Sequence, residues 1–115
     1  MDKLSQQHCV PCRGGEPTLQ EPEISNLKSQ VPNWEVVDDG GIKKLRRAFQ
    51  FKNFAQALEF VNKVGKIAER EGHHPEIEFG WGHATITWWT HKIKGLHRND
   101  FIMAAKTDGV YHEGE

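Results

Sequence analysis

Two adjacent histidines, His73 and His74, lie in the stretch Glu71-Gly72-His73-His74-Pro75-Glu76. Imidazole is the side chain whose unperturbed pKa lies nearest neutrality, so a pair fixed on a loop is suited to accepting and delivering protons. Gly72 reads as a helix stop and Pro75 bars the helix from resuming, which places both rings on a forced turn between helix and strand. A third histidine, His91, and a carboxylate, Asp100, follow downstream. If the strand leaving the dyad pairs with the next as a hairpin, the chain returns His91 to the same end of the sheet and continues into Asp100. Three chemistries fit such a set: a zinc site with an open position, proton donors and acceptors in a metal-free elimination or hydration, or imidazoles that only cap helix and strand ends. Neighbouring loop histidines usually point apart, which weighs against zinc.

Cys9 and Cys12 form a C-x-x-C with His8 beside it. No second cysteine pair completes a four-ligand zinc site, and Arg13-Gly14-Gly15-Glu16-Pro17 is loop chemistry where a redox pair would open a helix. The pair reads as solvent-exposed and functionally marginal, with a disulfide between them open only where the local geometry allows it.

The elements that must position the histidines follow from periodicity. Residues 1–17 are polar and broken by glycine and proline, so they read as a flexible, extended, poorly packing arm, dispensable for catalysis. Pro22 and the acids Glu21 and Glu23 suit the first turn of a helix near 21–30. Trp34-Glu35-Val36-Val37, the turn Asp38-Asp39-Gly40-Gly41 and the alternation from Ile42 to Phe51 predict a hairpin. Asn53 caps the clearest helix, in which Phe54, Ala57, Leu58, Val61, Val64 and Ala68 recur at three and four residues up to about Glu71. Strands follow at 77–81 and 84–91, the second with Ala84, Ile86 and Trp88 on one face and Thr85, Thr87, Trp89 and His91 on the other. A last helix covers about 98–106, with a frayed polar tail beyond Thr107. The order α-β-β-α-β-β-α predicts an α+β domain with one antiparallel sheet and helices on one face, and an exposed Trp89 on the bare face suggests oligomerisation.

Composition bounds the rest. A chain of 115 residues, 37% hydrophobic and 27% charged, supports one domain, and four Trp with six Phe argue against disorder. A net charge of −1 without a basic stripe gives no reason to expect a nucleic-acid partner. No apolar run approaches membrane-spanning length, and Met1–Ser5 lacks the apolar core of a signal peptide, so a cytoplasmic location is expected.

Glu69-Arg70-Glu71-Gly72-His73-His74-Pro75-Glu76, then Thr90-His91, Gly95-Leu96 and Asp100, closely resemble the pterin-4a-carbinolamine dehydratase family, as do Trp34-Glu35-Val36 and Phe51-Lys52-Asn53-Phe54 upstream. The resemblance covers about 18–108, between the arm (1–17) and a C-terminal tail (109–115). It implies a four-stranded antiparallel sheet with three helices on one face, a homodimer or homotetramer, and no metal or other cofactor. The implied reaction is a hydro-lyase step, dehydration of 4a-hydroxytetrahydrobiopterin to quinonoid dihydropterin, which recycles the pterin of aromatic amino acid hydroxylases, chiefly phenylalanine hydroxylase. Carried over to this chain, His73 and His91 are acid/base groups and His74 positions the pterin. Glu69, Pro75 and Asp100 support substrate binding, and Trp34 helps form the wall. As a residue on a loop near solvent, His73 is expected to matter for rate and little for stability.

Three positions depart from the family pattern: Ile77 where an aromatic is common, Asn99 where an Arg often precedes the Asp, and Gly72 before the dyad. They bear on substrate range more than on reaction type. Animal members also serve as dimerisation cofactors of a homeodomain transcription factor, so a non-enzymatic scaffold is the alternative. The intact His73, His74 and His91 set favours the enzyme.

Overall fold

The computed structural model describes residues 3–11 and 14–113 of the chain. Three helices, α1 (Glu21–Lys28), α2 (Phe54–Glu71) and α3 (Arg98–Glu113), accompany strands β1 (Glu35–Asp39), β2 (Ile42–Gln50), β3 (Glu76–Gly80) and β4 (His83–Trp88). The strands form one antiparallel sheet in the order β1-β2-β4-β3, so the two predicted hairpins join through β2 and β4. Cross-strand partners share a face, and Leu45, Phe49, Ala84, Ile86 and Trp88 are all buried on the side the helices cover. The helices supply Ile24, Leu27, Phe60, Val64, Ala68, Phe101 and Met103 to the same core. On the bare face, Glu35, Arg46, Thr87 and Glu76 line up as a row across all four strands.

Local chemistry explains the edges of α2. The Asn53 side chain accepts from the Gln56 N–H at 2.9 Å, and Gly72 closes the helix in the left-handed conformation at φ 67°. The His73 N–H then donates back to the Ala68 carbonyl at 3.1 Å, so the histidine turn is fastened to the last turn of the helix.

Four expectations need correction. Trp89 is only 9% exposed: the Lys44 ammonium lies 4.0 Å from its ring centroid and His91 covers it at 4.2 Å. A cation with a long apolar stem shields an indole that alternation alone sends to solvent. The large exposed aromatic is instead Trp81, at 72%. Beyond 106, α3 continues to Glu113, because Thr107 is buried, Asp108 pairs with Arg47 at 2.6 Å and Tyr111 packs on Phe49 and Phe51. β4 stops at Trp88, and His91 opens a 3-10 turn (His91–Ile93) closed by a bridge between Thr90 and Gly95.

The fourth concerns the arm, whose described residues 3–11 lie against the domain. A short 3-10 turn at Leu4–Gln6 buries Leu4 in the core. Lys106 donates to the Ser5 carbonyl at 2.9 Å, and Arg98 donates to the Gln7 side chain at 3.1 Å. These partners lie about ninety or more positions away in the chain, where local composition carries no trace of them.

Candidate active site

Four segments meet at the end of the sheet where α2 stops: the histidine turn, the turn after β4, the start of α3 and the arm. They enclose a cavity of about 460 Å³. His73, His74 and His91 all line it, with Thr90 and Lys92 beside His91. The hairpin return therefore brings the three predicted imidazoles to one cavity.

Their environments differ. The His73 side chain is 11% exposed and its Nε2 lies 2.6 Å from Oδ1 of Asp100, which is fully buried. Asp100 Oδ2 accepts from the Thr90 hydroxyl and from the His97 N–H, each at 2.9 Å. A carboxylate ringed by donors draws the His73 proton to Nε2, which leaves Nδ1 with the lone pair of the neutral ring. His73 also stacks on Trp88 at 5.7 Å with an interplanar angle of 11°. The ring is thus fixed in plane and in tautomer, and it is partly buried against the core where a near-solvent loop position was expected.

Asp100 has a second task. Its carboxylate takes the His97 N–H while His97 Nδ1 accepts the Asn99 N–H at 3.0 Å, a reciprocal cap on the first turn of α3. One buried side chain thereby joins the helix start, the Thr90 bridge after β4 and His73. Thr90 and His97 were not singled out from sequence as site residues, although a carboxylate in the first turn of a helix is the usual mark of such a cap.

His74 also lines the cavity but is held from outside it. Its Nε2–H donates to Glu69 Oε2 at 2.5 Å, and both side chains are exposed. His91 lies against Trp89. Among the described residues no three His, Cys, Asp or Glu side chains gather in a cluster able to hold a metal ion. Pro75 holds the turn between α2 and β3 without lining the cavity. Trp34 is not brought to the site. It is buried against Phe49, and its indole N–H donates to Asp108 at 2.8 Å.

The loop carrying His91 is anchored by a close approach. Leu19 N–H donates to the Leu96 carbonyl at 3.0 Å, and a Cβ on Gly95 would fall 2.5 Å from Thr18 Cγ2. Only glycine lets these two segments meet without displacement.

The remaining wall comes from Cys9, Val10 and Pro11 of the arm, next to Glu71 and Asn99. Burial pushes the Glu71 carboxyl up, but the Cys9 N–H at 2.8 Å, His8 at 3.0 Å and the charge of Lys106 outweigh it and hold the group below its ordinary range. A depressed carboxylate contributes stability that is full above the ordinary Glu range and is lost as pH falls through the lowered value.

Burial, followed by the charges of Glu71 and Asp100, pushes the Cys9 thiol up to about 12. Cys9 is a free thiol whose Sγ lies 3.9 Å from the Asn99 carbonyl, and Cys12 lies outside the described residues. Cys9 is thus partly buried, with its thiol disfavoured from ionising, where an exposed residue was expected. In a Cys12→Ser background, iodoacetamide at pH 8 is expected to label Cys9 at least tenfold more slowly than in the denatured chain, since the thiolate population falls on the order of a thousandfold. Equal rates would show that the folded site does not suppress the thiolate.

The family model for pterin 4 alpha carbinolamine dehydratase matches residues 17–110. The chain belongs to that family. A Cupriavidus pinatubonensis protein, provisionally named pterin-4-alpha-carbinolamine dehydratase 1, is 61% identical over 92% of this chain and 90% of its own length. A Syntrophotalea carbinolica protein with the same provisional family name is 54% identical over 96% and 98%. Among solved structures, a transcriptional coactivator/pterin dehydratase from Brucella melitensis superposes with a TM-score of 0.74 at 28% identity, covering 82% of this chain and 98% of that one. A pterin dehydratase-like protein identified as a RuBisCO assembly factor in the alpha-carboxysome gives 0.59 at 26% identity, covering 69% and 89%. In this family member, no helix among the described residues is long and apolar enough to cross a membrane.

Proposed function

We propose that the protein dehydrates 4a-hydroxytetrahydropterin to quinonoid dihydropterin and water by histidine acid/base catalysis. The observation that carries this reading is a cavity lined by three imidazoles, one of them held in plane and tautomer by a buried carboxylate. The reaction breaks the C4a–O bond and removes the proton on N5, whose electron pair forms the C4a=N5 double bond. The leaving oxygen takes up a proton and departs as water. His73, with Nδ1 free to accept, is suited to take the N5 proton, and His91, which lines the same cavity, to protonate the hydroxyl. His74, steadied by Glu69, orients the ring. Nothing in this sequence of transfers calls for a metal.

The product is the oxidised pterin that a reductase would return to the tetrahydro form. On this reading the protein recycles the cofactor of an aromatic amino acid hydroxylase in the cytoplasm. A homo-oligomer is favoured by Trp81 and by Phe79, whose ring meets Phe54 at 5.5 Å on exposed surface beside the edge strand β3.

The test is dehydration of synthetic 4a-hydroxytetrahydropterin by the purified protein, before and after prolonged chelation. The expected result is a rate well above the buffer reaction that survives chelation. No acceleration over buffer would reject the enzyme in favour of a scaffold role, and activity lost to chelator but restored by zinc would reject the metal-free mechanism.

A further inference from the structure

We propose that the arm segment His8–Pro11 is a built wall of the pterin site, and that Asn99 and Glu71 are positioning residues that hold it there. The inference rests on the dehydratase reading and deepens it: it assigns a substrate-affinity role to a segment that lies ahead of the family-matched region 17–110.

Asn99 is buried, and its side-chain amide is spent on one residue of the arm. Its Oδ1 accepts the Val10 N–H at 3.0 Å, and its Nδ2 donates to the Val10 carbonyl at 2.8 Å. A side chain that satisfies both backbone groups of one residue fixes that residue as a neighbouring strand would. One position earlier, Glu71 Oε1 takes the Cys9 N–H and Oε2 takes His8 Nδ1–H, at 2.8 and 3.0 Å. The Glu71 side chain is only 6% exposed, so the carboxylate is withdrawn from water for this contact. Two buried polar side chains on different helices are thus committed to one short stretch of backbone.

That commitment leaves Val10 and Pro11 as apolar surface on the cavity, with Val10 exposed, in a lining otherwise made of imidazoles, Lys92 and other polar groups. A flat bicyclic heteroaromatic ring presents two faces and a polar edge. The imidazoles can serve the reacting edge, and the arm supplies the apolar cover that the rest of the rim lacks. The contact is made equally by substrate and transition state, so its loss raises KM and spares kcat.

The test works from both sides of the clamp in the full-length protein. Asn99→Ala removes it from the domain, and Val10→Pro removes the donating N–H from the arm while keeping an apolar side chain. Each is expected to raise KM for the carbinolamine roughly tenfold, with kcat within about threefold of wild type. The double variant is expected to be no worse than the poorer single, because both break one device. Hydrogen exchange at the Cys9 amide, and at the Val10 amide where valine is kept, reports whether the arm has detached, and thermal melting reports whether the domain still folds. Detached amides in a folded chain with unchanged KM would overturn the proposal. So would multiplicative effects in the double variant, or a loss confined to kcat. A wild-type protein without dehydratase activity would reject the underlying reading, a result distinct from all of these.

Discussion

His73→Ala is expected to lower the dehydration rate by roughly 10²–10⁴-fold, the contribution of a positioned acid–base group. It is also expected to lower stability, which the position of His73 on a turn does not suggest. The ring donates to a carboxylate that is 0% exposed and stacks on Trp88. Its removal leaves Asp100 with two donors in place of three, at a cost of about 1–3 kcal/mol. For a domain of this size that is roughly 5–15 °C in melting temperature. His73→Gln separates the two effects, because its amide can still donate to Asp100 but has no base that titrates near neutrality. The expected outcome is a melting temperature near wild type and a rate as low as that of His73→Ala. If His73→Gln turned over normally, or if folded His73→Ala kept the wild-type rate, His73 would be a structural residue and the proton would have to be taken elsewhere.

Asp100→Ala is expected to be the most destabilising single change at the site. The Thr90 hydroxyl, the His97 N–H and His73 Nε2 all lose their acceptor at once, and the cap on α3 goes with them. Several buried groups left unpaired cost roughly 3–5 kcal/mol together. Asp100→Asn is the informative companion. Its amide can fill the same space, but an N–H turned toward His73 forces the proton onto the ring's other nitrogen and removes the free lone pair at Nδ1. A small change in melting temperature with a rate loss of roughly 10²–10⁴-fold is expected, because geometry survives and the tautomer does not. Equal activity of Asp100→Asn and wild type would mean that the buried carboxylate holds the fold together without setting the state of His73. Both measurements on one preparation decide the point.

The sequence by itself determined the element order and the hinge of the site. The Asn53 cap, the Gly72 stop and the Pro75 barrier are local devices, written in neighbouring residues, and the structure reproduces each. Of the apolar repeat in α2, Ala57, Val64 and Ala68 are buried, while Phe54 and Leu58 stay exposed and Phe60 enters the core instead. Period-two alternation likewise placed Ala84, Ile86 and Trp88 on the covered face, and the hairpin return brought His91 back to the dyad. Tertiary structure decided what those residues meet. That Trp89 is shielded by Lys44 depends on where β2 lies beside β4, which strand periodicity does not encode. Trp34 looks like a wall residue by resemblance, but it faces Asp108 in a helix whose last turns are stabilised by partners on β2. His73 is drawn in from solvent because Asp100, 27 positions away, is walled in by Thr90 and His97. The arm is docked because Glu71 and Asn99 find its backbone across more than sixty residues. Propensity and periodicity act within a few residues of the chain. Burial and hydrogen-bond satisfaction act across the folded interior, so the outline of this site was local in origin and its chemistry was not.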